Sequence, residues 1–124
     1  MDGGKLLIYH GWNDQLISPY NTIQYFENVQ AALGGASKIA DSIRLFMAPG
    51  MAHCSGGEGP NVFDKVGTLD RWVEEGKPPA RITASHITDG KVDRTRPLCP
   101  YPQVAKYNGS GSIDDAASFV CELP

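Results

Sequence analysis

Long apolar runs are missing from this sequence. Stretches such as Leu6-Leu7-Ile8 and Leu45-Phe46-Met47-Ala48 fall far short of the ~20 residues a membrane-spanning helix needs, so no membrane partner is expected. An excess of positive charge is missing too: 11 Lys and Arg against 14 Asp and Glu leave a net charge of −3. The basic residues are scattered, which argues against a nucleic-acid partner. Met1-Asp2-Gly3-Gly4-Lys5 lacks a basic region followed by an apolar stretch, so no signal peptide is expected. The chain then reads as intracellular, or as cut from a longer secreted precursor. Cysteine is sparse, with Cys54, Cys99 and Cys121 at spacings that match no zinc pattern, so no metal is expected. Most telling, no Gly-x-Ser-x-Gly occurs in the 124 residues, which removes the strained elbow that presents a serine nucleophile.

What remains has the composition of one small domain, 41% apolar and 20% charged. Lys5 to His10 reads as a buried strand ending in the turn-prone Gly11-Trp12-Asn13-Asp14. Ser18-Pro19 supplies an N-cap and a first helical residue. Ile23, Phe26, Val29 and Leu33 follow at spacings of three and four, up to Gly34-Gly35. Asp41 to Ala48 is a second strand. A helical connection makes the two strands parallel, which puts both loops, Trp12–Asp14 and Pro49–Cys54, at one sheet edge. A second helix is expected over Asn61 to Glu75, with Val62, Val66, Leu69, Trp72 and Val73 on its apolar period, and a short strand over Ile82 to Ile87. Residues 88–124 read as ordered loop. A Cys99–Cys121 staple is expected to replace missing core there, leaving Cys54 to a cysteine outside this chain; three reduced thiols is the other reading.

An acid after one strand and a histidine 39 residues later, after the next, is the order of the last two members of a Ser-Asp-His triad in α/β-hydrolases. His53 fits a general base, since imidazole changes charge near neutral pH. Asp14 fits the acid that fixes its tautomer. The structural alternatives are an aspartate that caps a turn and a loop histidine on the surface. His10 and His86 are weaker candidates, as neither has an acid at a useful spacing. Trp12 and Met51 flank the loops and either line a pocket or close the core. The glycines of Ser55-Gly56-Gly57-Glu58-Gly59-Pro60 lack the lysine of a phosphate loop, and Asp114-Asp115 lacks a calcium-binding frame.

Three long motifs, Gly4-Lys5-Leu6-Leu7-Ile8-Tyr9-His10-Gly11-Trp12-Asn13-Asp14, Leu45-Phe46-Met47-Ala48-Pro49-Gly50-Met51-Ala52-His53-Cys54 and Arg94-Thr95-Arg96-Pro97-Leu98-Cys99-Pro100-Tyr101-Pro102, together resemble the C-terminal part of the tannase and feruloyl esterase family. The resemblance implies an α/β fold: the C-terminal part of an α/β-hydrolase, with a short parallel sheet and two helices over residues 1–87 and a loop-rich, disulfide-stapled extension over 88–124. It also implies a secreted or periplasmic parent, a serine esterase for aromatic acyl esters that needs no organic cofactor. Asp14 would be the triad acid and His53 the base. Cys54 would be half of a disulfide to the cysteine before the nucleophilic serine, which belongs to an N-terminal half outside this chain. Two other readings stand beside it. One is a small autonomous esterase using Ser55; the other is a noncatalytic binding module that dimerises through its exposed sheet edge.

Overall fold

The computed structural model describes residues 3–124; Met1 and Asp2, read above for a leader, lie outside the described residues. Its elements are β1 (Leu6–Gly11), α1 (Pro19–Ala32), α2 (Ala36–Ile39), β2 (Ile43–Ala48), α3 (Lys65–Glu75), β3 (Ile82–Thr88), β4 (Lys91–Leu98), β5 (Val104–Tyr107), a 3₁₀ turn (Ala116–Ser118) and β6 (Phe119–Glu122). They form three two-stranded sheets. No described helix is long and apolar enough to cross a membrane.

β1 and β2 pair in parallel from Leu6↔Ile43 to Gly11↔Ala48. Side chains alternate across a strand, so each strand feeds both faces. Phe46 and Ala48 face a cluster with Met51, Phe63, Ile82, Ala84 and Leu98, against which Leu7 and Tyr9 pack. Ile43, Leu45 and Met47 face the other, with Ile23 and Phe26 of α1 and Ile39 of α2. Covering on both faces is why these strands read as continuous apolar runs rather than alternating ones. The Pro19 start of α1 agrees with the sequence, although Ser18 makes no side-chain cap bond. Leu33, expected on the buried stripe, is exposed just past the helix end.

α3 begins four residues later than expected. Asn61 and Val62 are taken up by β3, donating their backbone N–H groups to the Ser85 carbonyl, while the Ser85 N–H donates to Val62. Asp64 then caps the helix, its carboxylate accepting the Gly67 N–H at 2.8 Å. The buried face consists of Thr68 and Trp72, four apart; Val62, Val66 and Val73 are exposed.

The region read as loop, 88–124, holds three whole strands, β4, β5 and β6. β4 returns antiparallel to β3 through Asp89-Gly90, both at positive φ (51° and 76°), the pair that a type I′ hairpin turn requires. β5 and β6 form the third sheet, and Cys99 and Cys121 are joined in a disulfide. Closing a loop of this separation, 22 residues, contributes about 3 kcal/mol in the chain-entropy model. The extension docks on the outer edge of β2, where the Tyr101 N–H donates to the Leu45 carbonyl at 2.7 Å. Arg81 reaches across to the Ala116 and Phe119 carbonyls, which ties the third sheet to the start of β3.

Candidate active site

Parallel pairing brings the C-terminal ends of β1 and β2 to one edge, and backbone hydrogen bonds lace together the loops that leave them. The Trp12 N–H donates to the Ala48 carbonyl and the Asn13 N–H to the Met51 carbonyl, each at 3.0 Å. This approach is possible because residue 11 is glycine: a Cβ there would land on the Met51 carbonyl oxygen. The Ala52 N–H closes the second loop on the Gly56 carbonyl, with His53 at its tip.

Asp14 and His53 meet across this edge. His53 Nδ1 lies 2.9 Å from Asp14 Oδ2 and 3.1 Å from Oδ1. The Asp14 side chain is 3% exposed and that of His53 34%. Asp14 Oδ1 also accepts the Leu16 and Ile17 backbone N–H groups at 2.8 and 2.9 Å. Burial pushes the Asp14 carboxyl upward, but the Ile17 amide, the His53 ring and the Leu16 amide outweigh it and hold the group well below the usual carboxylate range. A carboxylate here can only accept, so His53 carries its proton on Nδ1, and the Nε2 lone pair of the neutral ring is left available.

The depressed Asp14 value fixes the sign of an acid response. The unfolded chain binds this proton more tightly than the folded one, so the stability Asp14 contributes is fully present above its unfolded value of about 3.9 and is lost as pH falls from there toward the lower folded value. Asp14→Asn is expected to lose less of its urea midpoint between about pH 5 and about pH 2 than the wild type loses. Equal losses would show that the carboxyl is not held low.

Two histidines depart from expectation. His10, read as lacking an acid at useful spacing, places Nε2 2.9 Å from Asp14 Oδ2. The tight turn folds residue 14 back over the strand end, so a separation of four becomes direct contact. His86 finds Asp93 across the β3–β4 hairpin at 2.7 Å, and Thr88 Oγ1 donates to the same carboxylate. The Thr88 hydroxyl first, then His86, hold the Asp93 carboxyl below its ordinary value. Both pairs were missed because sequence spacing says nothing about a turn or hairpin that has not been recognised.

The remaining candidates separate. Of the two readings for Met51, pocket lining or core closure, the structure shows the second, with the side chain fully buried in the core. Trp12 is partly exposed, packs edge-on against Tyr20, and lines a cleft of about 640 Å³ with Pro49, Glu58, Arg94, Arg96 and Tyr101. That cleft lies beside the dyad but does not include His53. Ser55 is exposed, and among the described residues the His53 ring bonds only Asp14. Cys54 is a free, exposed thiol at φ 62°, in the left-handed region that a non-glycine residue rarely occupies. Asp114 accepts from Arg94, and Asp115 caps the 3₁₀ turn by accepting the Ala117 N–H. Among the described residues no three His, Cys, Asp or Glu side chains cluster as a metal set.

The model of a family described as "Tannase and feruloyl esterase" matches residues 1–122. The chain is 48% identical over 125 residues to a mono(2-hydroxyethyl) terephthalate hydrolase of Piscinibacter sakaiensis, covering 98% of this chain and 20% of that protein. It is 41% identical to a "Probable feruloyl esterase" of Arthroderma benhamiae, with 96% and 23% covered. An esterase from Aspergillus oryzae superposes with a TM-score of 0.87 at 33% identity, over 97% of this chain and 27% of that one. The chain thus spans about a fifth to a quarter of the length of these relatives.

Proposed function

Because this chain belongs to the tannase and feruloyl esterase family, we propose that it carries the acid and base of a Ser-His-Asp ester hydrolase of the α/β-hydrolase fold, with the serine contributed by a part of the protein outside these 124 residues. The observation that carries the proposal is the His53 Nδ1–Asp14 bond at 2.9 Å, made at the carboxyl-end edge of two parallel strands. The absence of Gly-x-Ser-x-Gly and the short span relative to the relatives support an external nucleophile. The outer edge of β1, unpaired among the described residues, is where the rest of such a sheet would add a strand.

In this reading His53 Nε2 takes the serine proton as Oγ attacks the ester carbonyl carbon. The resulting imidazolium is stabilised by ionised Asp14 and gives its proton to the leaving alkoxide. Water, deprotonated by the same Nε2, attacks the acyl-serine, and collapse of the second tetrahedral intermediate returns the proton to Oγ and releases the acid. Ester and water become acid and alcohol, so the balance calls for no further reactant. The substrate class is an aromatic acyl ester, in keeping with relatives named for feruloyl and terephthalate esters. Cys54 would bridge to a cysteine beside the serine, limiting the separation of nucleophile and base. The Cys99–Cys121 disulfide suits a secreted or periplasmic parent.

The test is a chimera in which this chain replaces the matching C-terminal part of the terephthalate-ester hydrolase, assayed on methyl ferulate and a simple aryl ester beside the isolated chain. The chimera is expected to turn over, His53→Ala within it to lose at least about 10³-fold in kcat, Ser55→Ala to change nothing, and the isolated chain to stay at background. Hydrolysis by the isolated chain that needs both Ser55 and His53 would overturn the external nucleophile. Full chimera activity after His53→Ala would overturn the base.

A further inference from the structure

Asp14 receives a second imidazole that the triad does not require. His10, on the last turn-ward end of β1, has a side chain only 11% exposed and all of its polar atoms engaged. Its Nε2 faces two acceptors, Asp14 Oδ2 at 2.9 Å and the Ile17 carbonyl at 3.2 Å, so that nitrogen bears the proton. Its Nδ1 lies 2.7 Å from Thr22 Oγ1 on α1, which places the hydroxyl to donate to Nδ1 when Nε2 carries the ring's one proton. The result is a directed chain of donors, from Thr22 to His10 to Asp14, met from the other side by His53. A carboxylate has about four acceptor sites. Here the Leu16 and Ile17 amides take Oδ1, and His10 and His53 share Oδ2.

We infer that His10 is a positioning residue for the acid–base pair, with Thr22 fixing its tautomer: the buried ring pins Asp14 Oδ2 so that the carboxylate plane is set before the more exposed His53 engages it. The inference rests on the reading of Asp14 and His53 as acid and base. The two backbone amides hold one carboxylate oxygen; without a second donor from the protein interior the other would be held by His53 alone. His53 sits at a loop tip, so the pair would then define its own geometry, and a displacement of about 1 Å in such a pair can cost on the order of a hundredfold in rate. A merely structural His10 would fill space and satisfy its own nitrogens. A positioning His10 holds the Asp14 carboxylate where it accepts the His53 Nδ1 proton, and through it keeps His53 in that tautomer.

Nitrogen-15 NMR of the histidine rings in the 124-residue chain separates these roles. Wild type is expected to show His53 as the Nδ1–H tautomer. If it does not, the acid–base reading fails, and this inference with it. Given that tautomer in the wild type, His10→Leu is expected to shift His53 toward a mixture with Nε2–H. His10→Gln, whose side-chain amide donates from nearly the place of Nε2, is expected to restore the wild-type signal. Thr22→Val, which leaves the ring in place, is expected to shift His53 in the same direction as His10→Leu, and it decides the matter if the leucine variant does not fold. In the chimera these changes are expected to lower kcat about tenfold with KM unchanged, again rescued by glutamine. A His53 tautomer identical in wild type, His10→Leu and Thr22→Val would overturn the inference while leaving the acid–base pair standing.

Discussion

Asp14→Asn, made in the assembled esterase, is expected to lower kcat on the order of 10⁴-fold with little change in KM. The carboxylate accepts at both oxygens, from two amides on Oδ1 and two imidazoles on Oδ2. An asparagine has one oxygen and one NH₂ group, so it can satisfy only one side. With its oxygen toward the Leu16 and Ile17 amides, its NH₂ meets Nδ1 of His53. His53 must then turn its lone pair to Nδ1 and carry the proton on Nε2, where the serine proton has to go. With the amide flipped, NH₂ opposes two backbone donors that nothing else accepts. The first arrangement keeps both backbone donors paired and removes the base while preserving volume, so the loss should fall on kcat, and ring-nitrogen spectra should show His53 protonated at Nε2. A loss below about tenfold would mean that Asp14 neither fixes the tautomer nor stabilises the imidazolium, and the triad assignment would fail.

The parts of the molecule that the sequence made legible are those set by local pattern. Ile8 and Leu45 sit in apolar runs bounded by turn residues, and the Ser18-Pro19 start and Gly34-Gly35 stop bracket α1 to within two residues. Parallel pairing of β1 and β2 followed from the helical connection between them. Residues 88–124 were obscured for a different reason. β4 has polar and charged residues at Lys91, Asp93, Arg94 and Arg96 because much of it is exposed, and its pattern carries little apolar alternation. Asp89-Gly90 was the available signal, a two-residue turn that by itself pairs the strands on either side. The late start of α3 was not legible, since it depends on Val62 pairing with Ser85, a contact between segments 23 residues apart.

The site divides along the same line. Asp14 and His53 were singled out as a pair because each follows a strand, and the structure brings them within 2.9 Å. Met51 was left open between pocket and core because a loop residue beside a strand end has no periodicity to reveal its direction; the loop turns it inward among Phe46, Phe63 and Leu98. His10 was undervalued for the opposite reason. In an extended strand residues 10 and 14 would be far apart, and only the turn at Gly11, closed by the Asp14 N–H on the Gly11 carbonyl, brings them into contact. The backbone lacing of the two loops is likewise invisible in side-chain chemistry, yet it brings Asp14 and His53 together.

That lacing gives the second large expectation: Gly11→Ala should lower kcat of the assembled esterase about a hundredfold without touching a catalytic side chain. A Cβ at residue 11 would fall on the Met51 carbonyl oxygen, 2.7 Å from the Ala52 carbonyl oxygen and 2.8 Å from the Met51 carbonyl carbon. These are backbone atoms, so no rotamer change relieves the overlap, and the second loop must move outward as a unit. Residues 51 and 52 lead directly into His53, and their displacement passes to the imidazole. Asp14 is anchored separately to β1 and to its own turn, so the two partners separate instead of moving together. Overpacking of this kind costs about 1–3 kcal/mol in stability, which leaves the enzyme folded at ordinary temperature while its acid–base distance is wrong. Alanine at the exposed Gly111 would meet the Ser118 hydroxyl and not the loops, and serves as the matched control. A Gly11→Ala enzyme with normal kcat and a lowered unfolding midpoint would mean that the loops absorb the strain before it reaches His53. A fall in kcat with KM held would locate the geometry of the pair in the backbone contact beneath it.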